Sequence, residues 1–152
     1  MDGLKGINDY AGHWAGDQAL VAVGKVLRLA TRENDVVGRF GGDEFAVVFP
    51  QTDAEGARRV ADRLLIMLKE TSVLGPKGTI ELSASLGLAT LPSYHVPNAG
   101  FERPIPVEYF QGMAEALLQS ADDALYVAKS SGKSQLCMAE ALSWRTLAAP
   151  GS

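Results

Sequence analysis

The sequence predicts an α+β domain in which helices cover an antiparallel or mixed sheet. Two observations carry this. Apolar periodicities of helical and strand type succeed one another in the order helix, hairpin, helix, strand, helix, strand. The chain has 152 residues, 47% of them hydrophobic and 21% charged, which suits a single domain with a buried core.

Residues 1–9, MDGLKGIND, read as a turn-rich lead-in. A helix follows over 16–34, where Leu20, Val23, Leu27 and Ala30 recur at helical spacing. Gly16-Asp17 stands at its start, and the carboxylate there either caps free amides or serves a ligand. Val36–Phe40 and Phe45–Phe49 form a hairpin across Gly41-Gly42-Asp43-Glu44, and Pro50 closes its second strand. A second helix spans about Asp53 to Glu70, with Ala57, Val60, Ala61, Leu64, Leu65 and Leu68 on its apolar face.

Gly75-Pro76-Lys77-Gly78 is a turn, and the alternation of Ile80, Leu82, Ala84 and Leu86 predicts a strand from Thr79 to Thr90. A loop over 91–110 carries four prolines and is long for a connection. A third helix is expected from Met113 to Ser130 and a last short strand over Gln135–Met138. The domain is thus expected over 1–138, with 139–152 as a C-terminal tail.

Eighteen acidic residues against 14 basic ones give a net charge of −4 and no basis for non-specific nucleic-acid binding. An anionic ligand needs local basic groups or a metal. Cys137 alone cannot form an internal disulfide, no apolar run has the length of a membrane span, and no signal-peptide pattern opens the chain. The expected location is the cytoplasm.

The hairpin tip carries the chemistry. Gly41 and Gly42 accept positive φ, which a tight turn uses, and they present no side chain to an approaching ligand. Asp43 and Glu44 are adjacent carboxylates that repel each other unless a cation sits nearby. Paired oxygens on a rigid tip suit Mg²⁺, which binds through one or two carboxylates together with substrate phosphates.

Three ordered segments resemble the GGDEF family of diguanylate cyclases: LKGINDYAGHWAGDQAL at 4–20, RFGGDEF at 39–45 and SADDALYVAKSSGKS at 120–134. The similarity covers roughly residues 1–138. It implies the palm-like, ferredoxin-related fold shared with adenylate cyclases and many polymerases. It also implies a reaction in which two antiparallel domains each hold one GTP and join the pair into cyclic di-GMP, releasing two pyrophosphates.

By motif position the resemblance makes Asp43 a ligand of Mg²⁺ (or Mn²⁺). Glu44 would either assist at the metal or help deprotonate the attacking 3′-hydroxyl. Asn8 and Asp17 match the guanine-reading pair; a carboxylate can accept from both guanine N1–H and the 2-amino group, a donor pair that adenine lacks. Lys5, Lys129 and Lys133 match phosphate-contacting positions, with Lys133 replacing the commoner Arg and Ser134 the usual Asn. Lys129 and Lys133, four apart, share a face while the helix lasts. Arg32 and Asp35 form an R-x-x-D with five residues between it and Gly41, matching an inhibitory product site, and Arg63 occupies the place of a second arginine there.

The family's first motif begins D-x-D-x-F-K at the end of a central strand. Here Asp2 aligns with its second Asp, and the first, a principal metal ligand, is expected to fall before Met1 with most of that strand. Asp2 would lie two residues away on the same face of an extended strand. The resemblance therefore implies a GTP-using homodimer with an attached sensory or regulatory domain. The alternatives are a cyclic di-GMP receptor without turnover and a GTP-sensing or dimerisation module.

Overall fold

In the computed structural model the described residues are 1–76, 78–91 and 107–142. The expected long loop thus lies mostly outside them, as does most of the tail. The elements are α1 (Leu4–Ala11), α2 (His13–Ala30), β1 (Val36–Arg39), β2 (Phe45–Val48), α3 (Ala54–Lys69), β3 (Ser72–Gly75), β4 (Gly78–Glu81), β5 (Leu86–Leu88), α4 (Val107–Ser130) and β6 (Leu136–Met138).

The helices and strands give the expected α+β composition, with the strands in three separate two-stranded sheets: β1–β2 and β3–β4 antiparallel, β5–β6 parallel. The first hairpin is in register from Val36 opposite Val48 to Arg39 opposite Phe45. α3 starts where its cap dictates: Asp53 accepts from Gly56 N–H at 2.7 Å. The core joins Ala19, Val23, Val26, Leu27 and Ala30 of α2 to Leu64 and Leu68 of α3 and to Leu82 and Ala84. Val37, Phe45 and Val47 of the hairpin pack against it, so the tip rests on a buried base.

The structure corrects the sequence reading at five places. Residues 4–11 are a helix, not a turn-rich lead-in, and Gly12 at φ 85° separates it from α2. α2 begins at His13, so Asp17 lies inside the helix and caps nothing; it ends at Ala30, short of the expected 34. The single strand expected over 79–90 divides into β4 and β5, and between them Asp2 N–H donates to Ser83 O at 2.9 Å. Ser72–Gly75, unassigned by spacing, pairs with β4. α4 begins at Val107, inside the expected loop.

α4 lies on β5 with unusual closeness. A Cβ added at Gly87 would stand 2.0 Å from Ala121 O and 2.4 Å from Leu125 N, so only glycine fits.

Candidate active site

The hairpin tip is built by its own strands. Phe40 N–H donates to Glu44 O at 2.8 Å and closes the turn. Arg39, at the end of β1, collects the tip carbonyls: its Nη2 donates to Gly42 O at 2.7 Å and its Nε to Gly41 O at 3.3 Å. Neither Gly41 nor Gly42 adopts positive φ, so the expected left-handed turn is not the reason for these glycines. What they provide is room: a Cβ at Gly42 would meet nothing within 4 Å, and one at Gly41 only Glu44 Oε2 at 3.5 Å.

The Asp43 side chain is half-buried and makes no hydrogen bond or ion pair among the described residues. Glu44 pairs with Lys129 near the end of α4, Oε1 to Nζ 3.5 Å, with both side chains well exposed. Such a pair contributes at most about 1 kcal/mol and yields readily to a stronger partner. The Met1 nitrogen donates to Asp43 O. Residues 1–2, the tip and Lys129 therefore meet at one place.

Among the described residues no group of three or more His, Cys, Asp or Glu side chains gathers as a metal cage. The donor set fits a hard cation that draws its remaining ligands from phosphate and water, as Mg²⁺ does. Asp43 is available for this; Glu44 is available on leaving Lys129. Asp2 is instead engaged with the protein: its carboxylate accepts from Ser85 Oγ at 2.9 Å and from Ser134 N–H at 3.2 Å.

Asn8 packs on Gly16 at the α1–α2 crossing, and Asp17 is the next residue of α2. The Asn8 side chain occupies the space where a Gly16 Cβ would stand, 2.0 Å from its Oδ1, which sets it against α2. Asp17 is exposed and Asn8 half-buried. Lys5, also on α1, is exposed and makes no hydrogen bond or ion pair with the tip. Lys133 does not share a helical face with Lys129, since α4 ends at Ser130 and Lys133 sits beyond Gly132 at φ 64°.

Arg32 and Asp35 close a turn after α2, with Asp35 Oδ2 accepting from Arg32 N–H at 2.7 Å. Arg63, from α3, donates to Ala30 O at the end of α2 and so stands beside this turn. Arg63 thus reaches the end of α2, two residues before Arg32, although 31 positions separate the two arginines in sequence. An open cleft between α4 and β6, of about 700 Å³ and lined by Ser120, Asp123, Val127 and Met138 among others, contains none of these residues.

The fold is the palm-like α+β architecture of the solved GGDEF domains. The GGDEF domain of TpbB from Pseudomonas aeruginosa matches with a TM-score of 0.71 and 33% identity over 93% of this chain and 78% of that one. A microbial GGDEF domain solved for its interaction with cyclic di-GMP matches with a TM-score of 0.58 and 30% identity over 91% of this chain and 71% of the other.

This chain belongs to the GGDEF family, whose profile, described as "Diguanylate cyclase, GGDEF domain", matches residues 1–100. Diguanylate cyclase A of Treponema denticola is 32% identical over 92% of this chain and 33% of its own length. The chain spans about a third of the length of the curated relatives it matches. No helix among the described residues is long and apolar enough to cross a membrane.

Proposed function

We propose that this chain is a diguanylate cyclase domain that condenses two GTP into cyclic di-GMP with the aid of Mg²⁺ or Mn²⁺. The observation that supports it most is the Asp43 carboxylate, half-buried, without a partner among the described residues, on a glycine-cleared tip beside Lys129. In each half-reaction a 3′-hydroxyl oxygen bonds to the α-phosphorus of the other GTP, the bond to pyrophosphate breaks, and the hydroxyl proton leaves. Two such steps close the ring, so two copies of the domain face each other.

A bound divalent cation supplies charge stabilisation at the reacting phosphate and lowers the pKa of the attacking hydroxyl. Asp43 would hold it, with Glu44 beside it once released from Lys129. Lys129, so freed, would meet the triphosphate, with Lys5 and Lys133 as further phosphate contacts. Asn8 and Asp17 would read the guanine edge, and adenine would leave Asp17 without its donors. Arg32, Asp35 and Arg63 would hold the product: guanidinium groups stack on guanine and bond it in a fork. The length of the relatives beyond this match supports an attached regulatory domain in the whole protein.

Incubation with GTP and Mg²⁺ should yield cyclic di-GMP, and ATP should not replace GTP. Arg32→Ala should weaken inhibition by cyclic di-GMP about tenfold or more, at unchanged turnover in product-free assays. Unaltered inhibition in that variant overturns the product site. A second reading, a receptor without turnover, draws on the absence of a three-carboxylate group among the described residues. Binding of cyclic di-GMP without product formation from GTP selects it.

A further inference from the structure

We infer that Asp2 is a positioning residue that holds the Lys133 turn in its phosphate-contacting conformation; the phosphate role of Lys133 rests on the function proposed above. Asp2 is engaged on all sides. Its N–H donates to Ser83 O at 2.9 Å, while its carboxylate accepts from Ser85 Oγ at 3.0 and 2.9 Å and from Ser134 N–H at 3.2 Å. Ser85 is itself buried, so its end of this arrangement is fixed.

The turn it reaches needs holding. Lys133 and Ser134 are consecutive non-glycine residues at φ 64° and 50°, a conformation that side chains disfavour and that persists only where surroundings determine it. Local bonds fix one end: Lys133 N–H donates to Ala128 O at 3.0 Å, and Gln135 Nε2 to Ala128 O and Ser131 O. Leu86 N–H donates to Gln135 O at 2.8 Å and fixes the other. Between them, the Ser134 amide is held by Asp2 through a bond whose acceptor is charged.

Residues 1–2 thus join two working parts, with Met1 bonded to Asp43 O at the carboxylate tip and Asp2 bonded to the basic turn. Lys133 is exposed and has no ion-pair partner among the described residues, so its ammonium is available to an anion. Where that ammonium stands is set by the backbone that Asp2 holds.

The test uses Asp2→Ala and Asp2→Asn, each in the native and the Lys133→Ala background, with Mg²⁺-supported binding of GTP and of GMP followed by calorimetry. Hydrogen exchange at the Ser134 amide is measured without nucleotide. Asp2→Ala should weaken GTP about tenfold, leave GMP unchanged, cause no further loss beside Lys133→Ala, and accelerate Ser134 exchange. Asp2→Asn, whose side-chain oxygen still accepts, should recover part of the GTP affinity and keeps the comparison open if the alanine variant folds poorly. Equal loss for GTP and GMP, additive loss with Lys133→Ala, or unchanged Ser134 exchange overturns the inference. A native chain that binds no GTP overturns the proposed function instead, and Ser134 exchange then still decides whether Asp2 holds the turn.

Discussion

Asp43→Asn should lower cyclic di-GMP synthesis by roughly a thousandfold or more while leaving the fold intact. The substitution keeps the size of the side chain and removes its charge. If Asp43 holds the cation at the reacting phosphate, the loss is several kcal/mol of transition-state stabilisation, and each 1.4 kcal/mol is about a factor of ten in rate. Stability should barely change, because the Asp43 carboxylate bonds to nothing among the described residues and only its main-chain oxygen is used, by Met1. Product affinity at Arg32 should also persist. The check is initial-rate synthesis beside thermal melting and cyclic di-GMP binding. Synthesis within tenfold of the native rate would remove Asp43 from the chemistry.

The second large effect concerns stability. Gly87→Ala should destabilise the domain by about 3 kcal/mol or more, because the new methyl group would meet backbone atoms of α4 rather than a side chain that can swing aside. Relief requires α4 to lift from β5, which loosens the parallel pairing with β6 as well. In a domain of this size the melting temperature should fall by about 10 °C. Gly24→Ala supplies the opposite sign. Gly24 lies within α2 with nothing within 4 Å of an added Cβ, so the change should stabilise by about 0.5–1 kcal/mol. Thermal melts of the two variants decide the matter. A Gly87→Ala variant that melts with the native protein would mean that α4 and β5 are not packed this closely.

Legibility in the sequence followed how local each cause is. The β1–β2 hairpin and α3 were readable because their periodicity and caps lie within their own residues, Asp53 among them. α1 was not. LKGINDYA is rich in poor helix formers, and its place is set by the distant fit of Asn8 over Gly16. The contact of Asp2 with Ser83, between β4 and β5, is likewise hidden, since it joins residues remote in sequence.

The same holds for the candidate site. Its residue types are plain in the order of the three motifs. The Lys129–Glu44 pair and the grip of Asp2 on Ser134 exist only between elements remote in sequence. Gly41 and Gly42 owe their place to free space and not to a left-handed turn, for a related cause. Sequence shows that a side chain is missing, but not whether backbone torsion or free space requires it to be.

The pairing of β5 with β6 has a kinetic consequence. The two antiparallel ladders close over a few residues and can form early, whereas Leu86 meets Leu136 only after fifty residues, with α4 between them, have been brought round. The entropy of closing that long loop precedes the contacts that compensate it. Assembly of β5, α4 and β6 should therefore be the late, slow event in folding. Lys129 and Lys133 belong to that late segment, so the phosphate-facing half of the site would mature after the carboxylate tip.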